Sequence, residues 1–295
     1  MSHEPLALDQ RQFTRDPHTD PRPIAMLLRI AFYLSSRSPR LRRALARWWY
    51  GVLAKKETRQ NWTFMNFGLV PPDGVVPRLD AVDEADRLCI QLYHRVVAPV
   101  DLAGARVLEV GSGRGGGASF IARYHHPAQV TGADFAPAAV ALCRNLHAGV
   151  PNLEFTVGDA ERLPFRDASF DAVVNVESSH CYGDIEKFLA ETLRVLRPGG
   201  HFLYADLRSA PDMAALSVLL DAQSGWERID HEDITAAVVA ALEADDARKR
   251  KFLAEFVRPR MRGPFGEFVG LVGGKMHEGF CNREFVYQRF AFRRR

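Results

Sequence analysis

Arg106–Gly117 reads R-V-L-E-V-G-S-G-R-G-G-G. Val107, Leu108 and Val110 form an apolar run too short for a helix and closed by glycine, which reads as a buried strand. Gly111, Gly113 and Gly115–Gly117 let the backbone turn sharply and let a ligand approach the main chain. Ala118–Arg123 then starts a helix whose N-terminal amides direct partial positive charge back at the loop. Gly111, Gly113 and Gly116 satisfy G-x-G-x-x-G, a spacing that requires an acidic residue about 20 positions on to bind ribose hydroxyls. Asp134 stands there, at the end of a second strand-like stretch, Gln129–Asp134. By itself the pattern predicts an adenosine-containing cofactor on a parallel sheet. It leaves a nicotinamide enzyme and an S-adenosylmethionine enzyme both open.

The bulk properties bound the rest. A chain of 295 residues, 47% hydrophobic and 25% charged, holds one large α/β domain with additions or two small domains. A net charge of +3 gives no reason to expect a nucleic-acid partner. Cys89, Cys143, Cys181 and Cys281 lie far apart with no C-x-x-C pair, which argues against zinc and against a disulfide framework. The polar start Met1–Pro23 does not fit a signal peptide, and no apolar run reaches spanning length, so the cytoplasm is the expected compartment.

Working outward from the glycine loop, strand and helix patterns alternate. Strands are expected at Arg106–Val110, Gln129–Asp134, Leu153–Val157, Phe170–Val176 and Gly200–Asp206. Helices are expected at Asp83–Ala98, Gly117–Tyr124, Pro137–His147 and Ile185–Leu196. Such alternation predicts a mostly parallel sheet with helices on both faces and the ligand at the carboxyl ends of the strands. Pro211–Leu253 reads as a helical cap broken at Ser224–Gly225, and Phe285–Arg294 as a final edge strand. Before the core, Ile24–Leu34 and Leu41–Ala54 read as two helices. Arg22–Arg59 carries ten lysines and arginines against one acid, Glu57. These helices are expected to pack over the active site or against another subunit of a homo-oligomer, with peripheral contact on a membrane surface as the alternative. The division expected is 1–80 for N-terminal arm and helices, 81–207 for the cofactor-binding core, and 208–295 for the cap and final strands.

Three further motifs separate the two cofactors. Gly158-Asp159-Ala160 with Leu163-Pro164-Phe165 follows the third strand. Ser169–Val174 runs into Asn175–His180 at the end of the fourth, and Leu193–Gly200 ends a helix through Pro-Gly-Gly into the fifth. In this order and spacing, over about residues 81–207, the chain resembles the class I S-adenosylmethionine-dependent methyltransferases. That resemblance implies a Rossmann-like fold with a seven-stranded sheet. It also implies S-adenosylmethionine as cofactor and S-adenosylhomocysteine as product. Residue by residue, it implies that Glu109 orients the methionine amino group and that Gly111 and Gly113 give the close approach. Asp134 would hold the ribose with Phe135 beside the adenine, and Asp159 and Ala160 would read the adenine edge. Tyr93 and Val176 complete the implied cofactor set. Q-L-Y-H-R, G-G-G-A-S-F, V-E-S-S-H-C-Y and Y-A-D-L-R resemble more narrowly the mycobacterial phthiotriolone/phenolphthiotriolone dimycocerosates O-methyltransferases. This narrower resemblance implies a small lipophilic, polyketide-like or lipid-like acceptor.

Methylating a hydroxyl requires a base as the new bond forms, and histidine titrates nearest neutrality. His180, just beyond the fourth strand, is the candidate base. Asp206, at the end of the fifth, is the candidate to orient its ring, with Glu177 in reserve. His94, His125, His126 and His147 read as structural. The expected function is O-methylation of a natural product without a metal. The alternatives are C-methylation, in which His180 takes a proton from carbon or positions an enol, and a cofactor-binding protein without transferase activity.

Overall fold

Strand β1 (Arg106–Val110) is apolar on both sides because both faces of the sheet are covered. Val107 packs on one face with Phe120, Val130 and Val174, while Leu108 and Val110 pack on the other with Val173, Phe188 and Phe202. The computed structural model describes residues 62–295. The remaining strands are β2 (Gln129–Asp134), β3 (Leu153–Val157), β4 (Phe170–Val176), β5 (Leu196–Ser209), β6 (Trp226–Asp233) and β7 (Phe285–Arg294). They form one seven-stranded sheet in the order β3-β2-β1-β4-β5-β7-β6. The first five run parallel, and β7 lies antiparallel to both β5 and β6. The period-two alternation continues across the sheet. Leu203 and Ala205 of β5, with Tyr287 and Ala291 of β7, join the Val107 face, whereas Tyr204, Phe290 and Phe292 join the Leu108 face.

Among the described residues eight α-helices surround the sheet. On the Val107 face lie α1 (Arg87–Val97), α2 (Gly116–Tyr124), α3 (Pro137–Leu146), α6 (Thr235–Phe256) and α8 (Lys275–Cys281), and on the other lie α4 (Ile185–Val195) and α5 (Ala210–Asp221). The eighth, α7 (Pro259–Phe268), packs on α6. Each fully buried Leu, Val or Phe contributes roughly 1.5–3 kcal/mol of hydrophobic stabilisation, so both clusters are needed to hold so long a sheet. Helix starts follow local chemistry: Asp184 caps α4 by accepting the Lys187 amide, Ser209 caps α5 by accepting the Asp212 amide, and Pro137 opens α3. Among the described residues no helix is long and apolar enough to cross a membrane.

The structure corrects the sequence reading in three places. Asp83 and its neighbours form a 3-10 turn, Ala81–Asp86, before α1 proper, where Arg123 and the Tyr124 hydroxyl hold the Asp83 carboxylate. Pro211–Leu253 is not a helical cap throughout, because β6 intervenes between α5 and α6. The turn does fall at Ser224–Gly225, but W-E-R-I-D-H-E-D hides its strand character behind acids that pair with arginines elsewhere, Glu232 with Arg95 and Arg289 and Asp233 with Arg283. Phe285–Arg294 is consequently not an edge strand, since β6 pairs along its outer side. The expected helices Ile24–Leu34 and Leu41–Ala54 lie outside the described residues.

Candidate active site

At the carboxyl end of β1 the chain passes through Gly111 (φ +77°), Gly113 (+55°) and Gly115 (+81°) into α2. These are left-handed conformations that glycine adopts without steric penalty. Space is as limiting as torsion here: a Cβ on Gly111 would collide with Ser178 Oγ, and one on Gly113 would lie 2.6 Å from the methyl of Met65. Beneath the loop His147 Nε2 contacts the Arg114 carbonyl at 2.9 Å, which places this histidine in a supporting role.

Glu109, on β1, is fully buried, and its Oε1 accepts the Tyr93 hydroxyl at 2.6 Å. Its Oε2 is buried without a partner. Burial pushes the carboxyl pKa up to about 8, against the lowering effect of the Tyr93 and Ala118 donors. A buried carboxyl with one acceptor oxygen left without a hydrogen-bond partner, beside a glycine loop, suits a cationic ammonium group, so the residues present fit S-adenosylmethionine.

Asp134 ends β2. Its Oδ2 accepts the Gly113 amide at 3.0 Å and its Oδ1 the Ala136 amide at 2.9 Å. Burial raises its pKa to about 6 although both amides oppose the shift. Each oxygen retains a second lone pair, so the carboxylate can hold the loop and still accept from hydroxyls. A cleft opens beside it, lined by Val110, Gly111, Phe135, Gly158, Asp159, Ala160, Glu161, Cys181 and Tyr182. Gly111, Phe135, Asp159 and Ala160 therefore share one cavity, drawn from the ends of β1, β2 and β3. Glu109, Gly113 and Asp134 stand behind its lining, and Tyr93 and Val176 do not line it either. Tyr93 is buried on Glu109, and Val176 is packed in the sheet as the last residue of β4.

Parallel pairing of β4 with β5 sets Val176 opposite Ala205 and brings the next segments together. Ser179–Cys181 forms a short 3-10 turn, and His180 Nδ1 lies 2.8 Å from Asp206 Oδ1. Asp206 is completely buried. It also accepts the His180 amide (2.9 Å), the Ser179 hydroxyl (2.6 Å) and Arg208 Nη1 (3.1 Å). Burial alone would raise the Asp206 pKa, but Arg208, His180 and Ser179 outweigh it and hold the carboxyl far below its usual range. Burial likewise opposes charge on His180, whereas the Cys181 sulfur and the Asp206 carboxylate raise its pKa well above the ordinary imidazole value. The His180 side chain remains 30% exposed and lies next to Cys181, which lines the cleft. Asp206 is thus held as a buried carboxylate with His180 Nδ1 against one of its oxygens.

Several residues of this edge were not singled out by sequence reasoning. Asn175, buried at the end of β4, reaches the Val110 carbonyl (2.8 Å) and lies 2.8 and 2.9 Å from the Ser178 and Tyr182 hydroxyls. Arg208 neutralises Asp206 from the same strand. Their signals were a polar residue within an otherwise apolar strand end and the D-L-R spacing, which puts residues i and i+2 on one face.

Residues 108–204 match a family model described as a methyltransferase domain. The chain is 37% identical over 262 residues to a phthiotriol/phenolphthiotriol dimycocerosates methyltransferase of Mycobacterium leprae, covering 89% of this chain and 96% of that one. It is 46% identical over 182 residues to a fatty-acid O-methyltransferase of Mycolicibacterium smegmatis, covering 61% and 65%. Among solved structures, the [4+2]-cyclase SpnF shares the fold with a TM-score of 0.63 at 21% identity, over 84% of this chain and 94% of that one. The chain belongs to the family of S-adenosylmethionine-dependent methyltransferases that contains these mycobacterial enzymes.

Proposed function

We propose that the protein O-methylates a hydroxyl group of a lipophilic, polyketide-like or lipid-like molecule, with His180 as general base. The observation that carries this reading is the 2.8 Å contact between His180 Nδ1 and the buried Asp206 carboxylate. The acceptor class is supported by the printed names of the mycobacterial relatives.

S-adenosylmethionine supplies a methyl group activated on a sulfonium. Glu109, Gly111, Gly113, Asp134, Phe135, Asp159 and Ala160 are the residues assigned to hold it, Glu109 by its unpartnered Oε2 and Asp134 by its remaining lone pairs. Asp206 fixes the imidazole with Nδ1 protonated, so that Nε2 receives the hydroxyl proton as the acceptor oxygen becomes nucleophilic. Arg208 and Ser179 keep Asp206 ionised, which stabilises the imidazolium formed in that step. Alignment of the acceptor in a site shielded from water supplies the remainder of the rate.

The test is incubation of the purified full chain with methyl-labelled S-adenosylmethionine and, separately, a long-chain secondary alcohol, a long-chain fatty acid and a long-chain ketone. A labelled methyl ether from the alcohol is expected. Label appearing only as the fatty-acid methyl ester, or on carbon of the ketone, would overturn the hydroxyl assignment.

A further inference from the structure

Glu177 stands where three separate parts of the chain meet. It follows β4 directly, in a left-handed backbone conformation (φ +50°) that a residue with a side chain adopts only under constraint. Its amide donates to the Ala205 carbonyl at 2.8 Å, which holds it to β5 beside Asp206. Its Oε2 accepts the Phe67 amide at 3.0 Å and the Tyr287 hydroxyl at 3.2 Å. Phe67 belongs to Trp62–Val70, a strap without regular secondary structure that passes the glycine loop and Glu177. At one end of the strap the Thr63 carbonyl accepts the Gly116 amide and the Met65 methyl rests on Gly113; at the other, the Val70 amide donates to Ala237 of α6. Tyr287 is a wholly buried residue of β7.

We propose that Glu177 is a positioning residue for methyl transfer: through Oε2 it fastens the Trp62–Val70 strap and Tyr287 to the strand end that carries His180, and so builds one wall of the acceptor chamber. The inference rests on the reading of this edge as the acceptor site. The two donors come from opposite ends of the sequence, and no backbone pairing joins the strap to β4 at this point, so the carboxyl supplies the join. The strained φ marks the same residue, and strain of this kind persists where surrounding contacts over-determine it. Burial pushes the Glu177 pKa up to about 8, so near neutrality the group is a neutral acid accepting two hydrogen bonds on one oxygen. A glutamine reproduces that arrangement; an alanine removes it while keeping the same backbone preference.

The experiment uses the full chain and two readouts, chymotryptic cleavage at Phe64 or Phe67 without acceptor, and KM for a long-chain secondary alcohol at saturating S-adenosylmethionine. Glu177→Ala should accelerate strap cleavage and raise KM, each by about tenfold, the effect of losing one or two hydrogen bonds. Glu177→Gln should stay near the parent in both. Unchanged cleavage in Glu177→Ala would overturn the proposal. So would a Glu177→Gln enzyme that keeps the strap protected yet loses turnover, because the carboxyl would then act on the reaction itself. If Glu177→Ala does not fold, Glu177→Asp decides, since it draws the carboxyl back from the Phe67 amide, and parental strap cleavage there would overturn the join. Cleavage is read without any acceptor, so failure of the acceptor assignment is distinguishable from failure of the strap.

Discussion

His180 and Asp206 are joined twice, ring Nδ1 to Oδ1 at 2.8 Å and backbone amide to Oδ2 at 2.9 Å. The second bond fixes the turn and the first fixes the ring, so the imidazole is held in one orientation by a single buried carboxylate. Removing the ring should cost the proton-transfer contribution, roughly 10²–10⁴-fold in turnover for His180→Ala. Affinity for S-adenosylmethionine should hardly change. Near-normal turnover would remove His180 as base.

The same pair makes a pH prediction. His180 titrates well above the usual imidazole value, so it accepts protons freely only as the medium becomes alkaline. The rate should rise with pH through that elevated pKa. In Asp206→Asn the partner charge is gone, and the acid limb of the profile should move to lower pH. A pH–rate profile that does not shift would show that Asp206 leaves the base untouched.

Buried carboxyls also govern stability. Glu109 and Glu177 titrate at about 8 and Asp134 at about 6, all above their unfolded values. The folded chain therefore holds their protons more tightly, so this stabilisation is full below about pH 4 and is lost as pH rises through 6 and 8. Asp206, depressed instead, contributes stability above its unfolded pKa that disappears in strong acid. The melting temperature should fall between about pH 5 and 8, and Glu109→Gln should flatten that slope. An equal slope in the variant would contradict the burial argument.

Proton release should accompany cofactor binding. A cationic ligand beside the unpartnered Oε2 of Glu109 favours the ionised carboxylate, whose pKa is about 8 beforehand. Calorimetric titrations near neutrality in two buffers of different ionisation enthalpy should show protons released. Glu109→Gln should release fewer, and equal release would place the cationic group elsewhere.

Asp134→Ala should weaken S-adenosylmethionine binding by about 1.5–3 kcal/mol for each charged hydrogen bond lost to a ribose hydroxyl. It also frees the Gly113 and Ala136 amides, so a melting curve should be taken beside the titration. Unchanged affinity with an unchanged melting temperature would take Asp134 out of the cofactor site.

Trp226 anchors the strand that the sequence hid. It is 3% exposed, stacks on Phe202, packs tilted against Phe292, and donates its indole N–H to the Leu220 carbonyl at 2.8 Å. Trp226→Ala should destabilise the fold by about 3–5 kcal/mol, measurable in denaturant. A cost under about 1 kcal/mol would mean that β6 contributes little to the sheet.

What the sequence by itself determined was local. The apolar run of β1, the glycines that follow it, Asp134 and the Pro-Gly-Gly early in β5 each depend on neighbours within a few positions, so their order alone specified the parallel strands and the glycine loop. β6 escaped because its acids are balanced by Arg283, Arg95 of α1 and Arg289 of β7, residues distant in sequence whose charges become partners only in the folded chain. The tertiary structure also decided which polar residues work together. Asp206 meets His180 because β4 and β5 pair in register, and Glu177 meets Phe67 and Tyr287 because a strap and a distant strand converge on one oxygen. Protonation belongs to that level too. Glu109 and Asp206 are both fully buried carboxyls, yet one is pushed up and the other down, because only Asp206 has Arg208 and His180 against it.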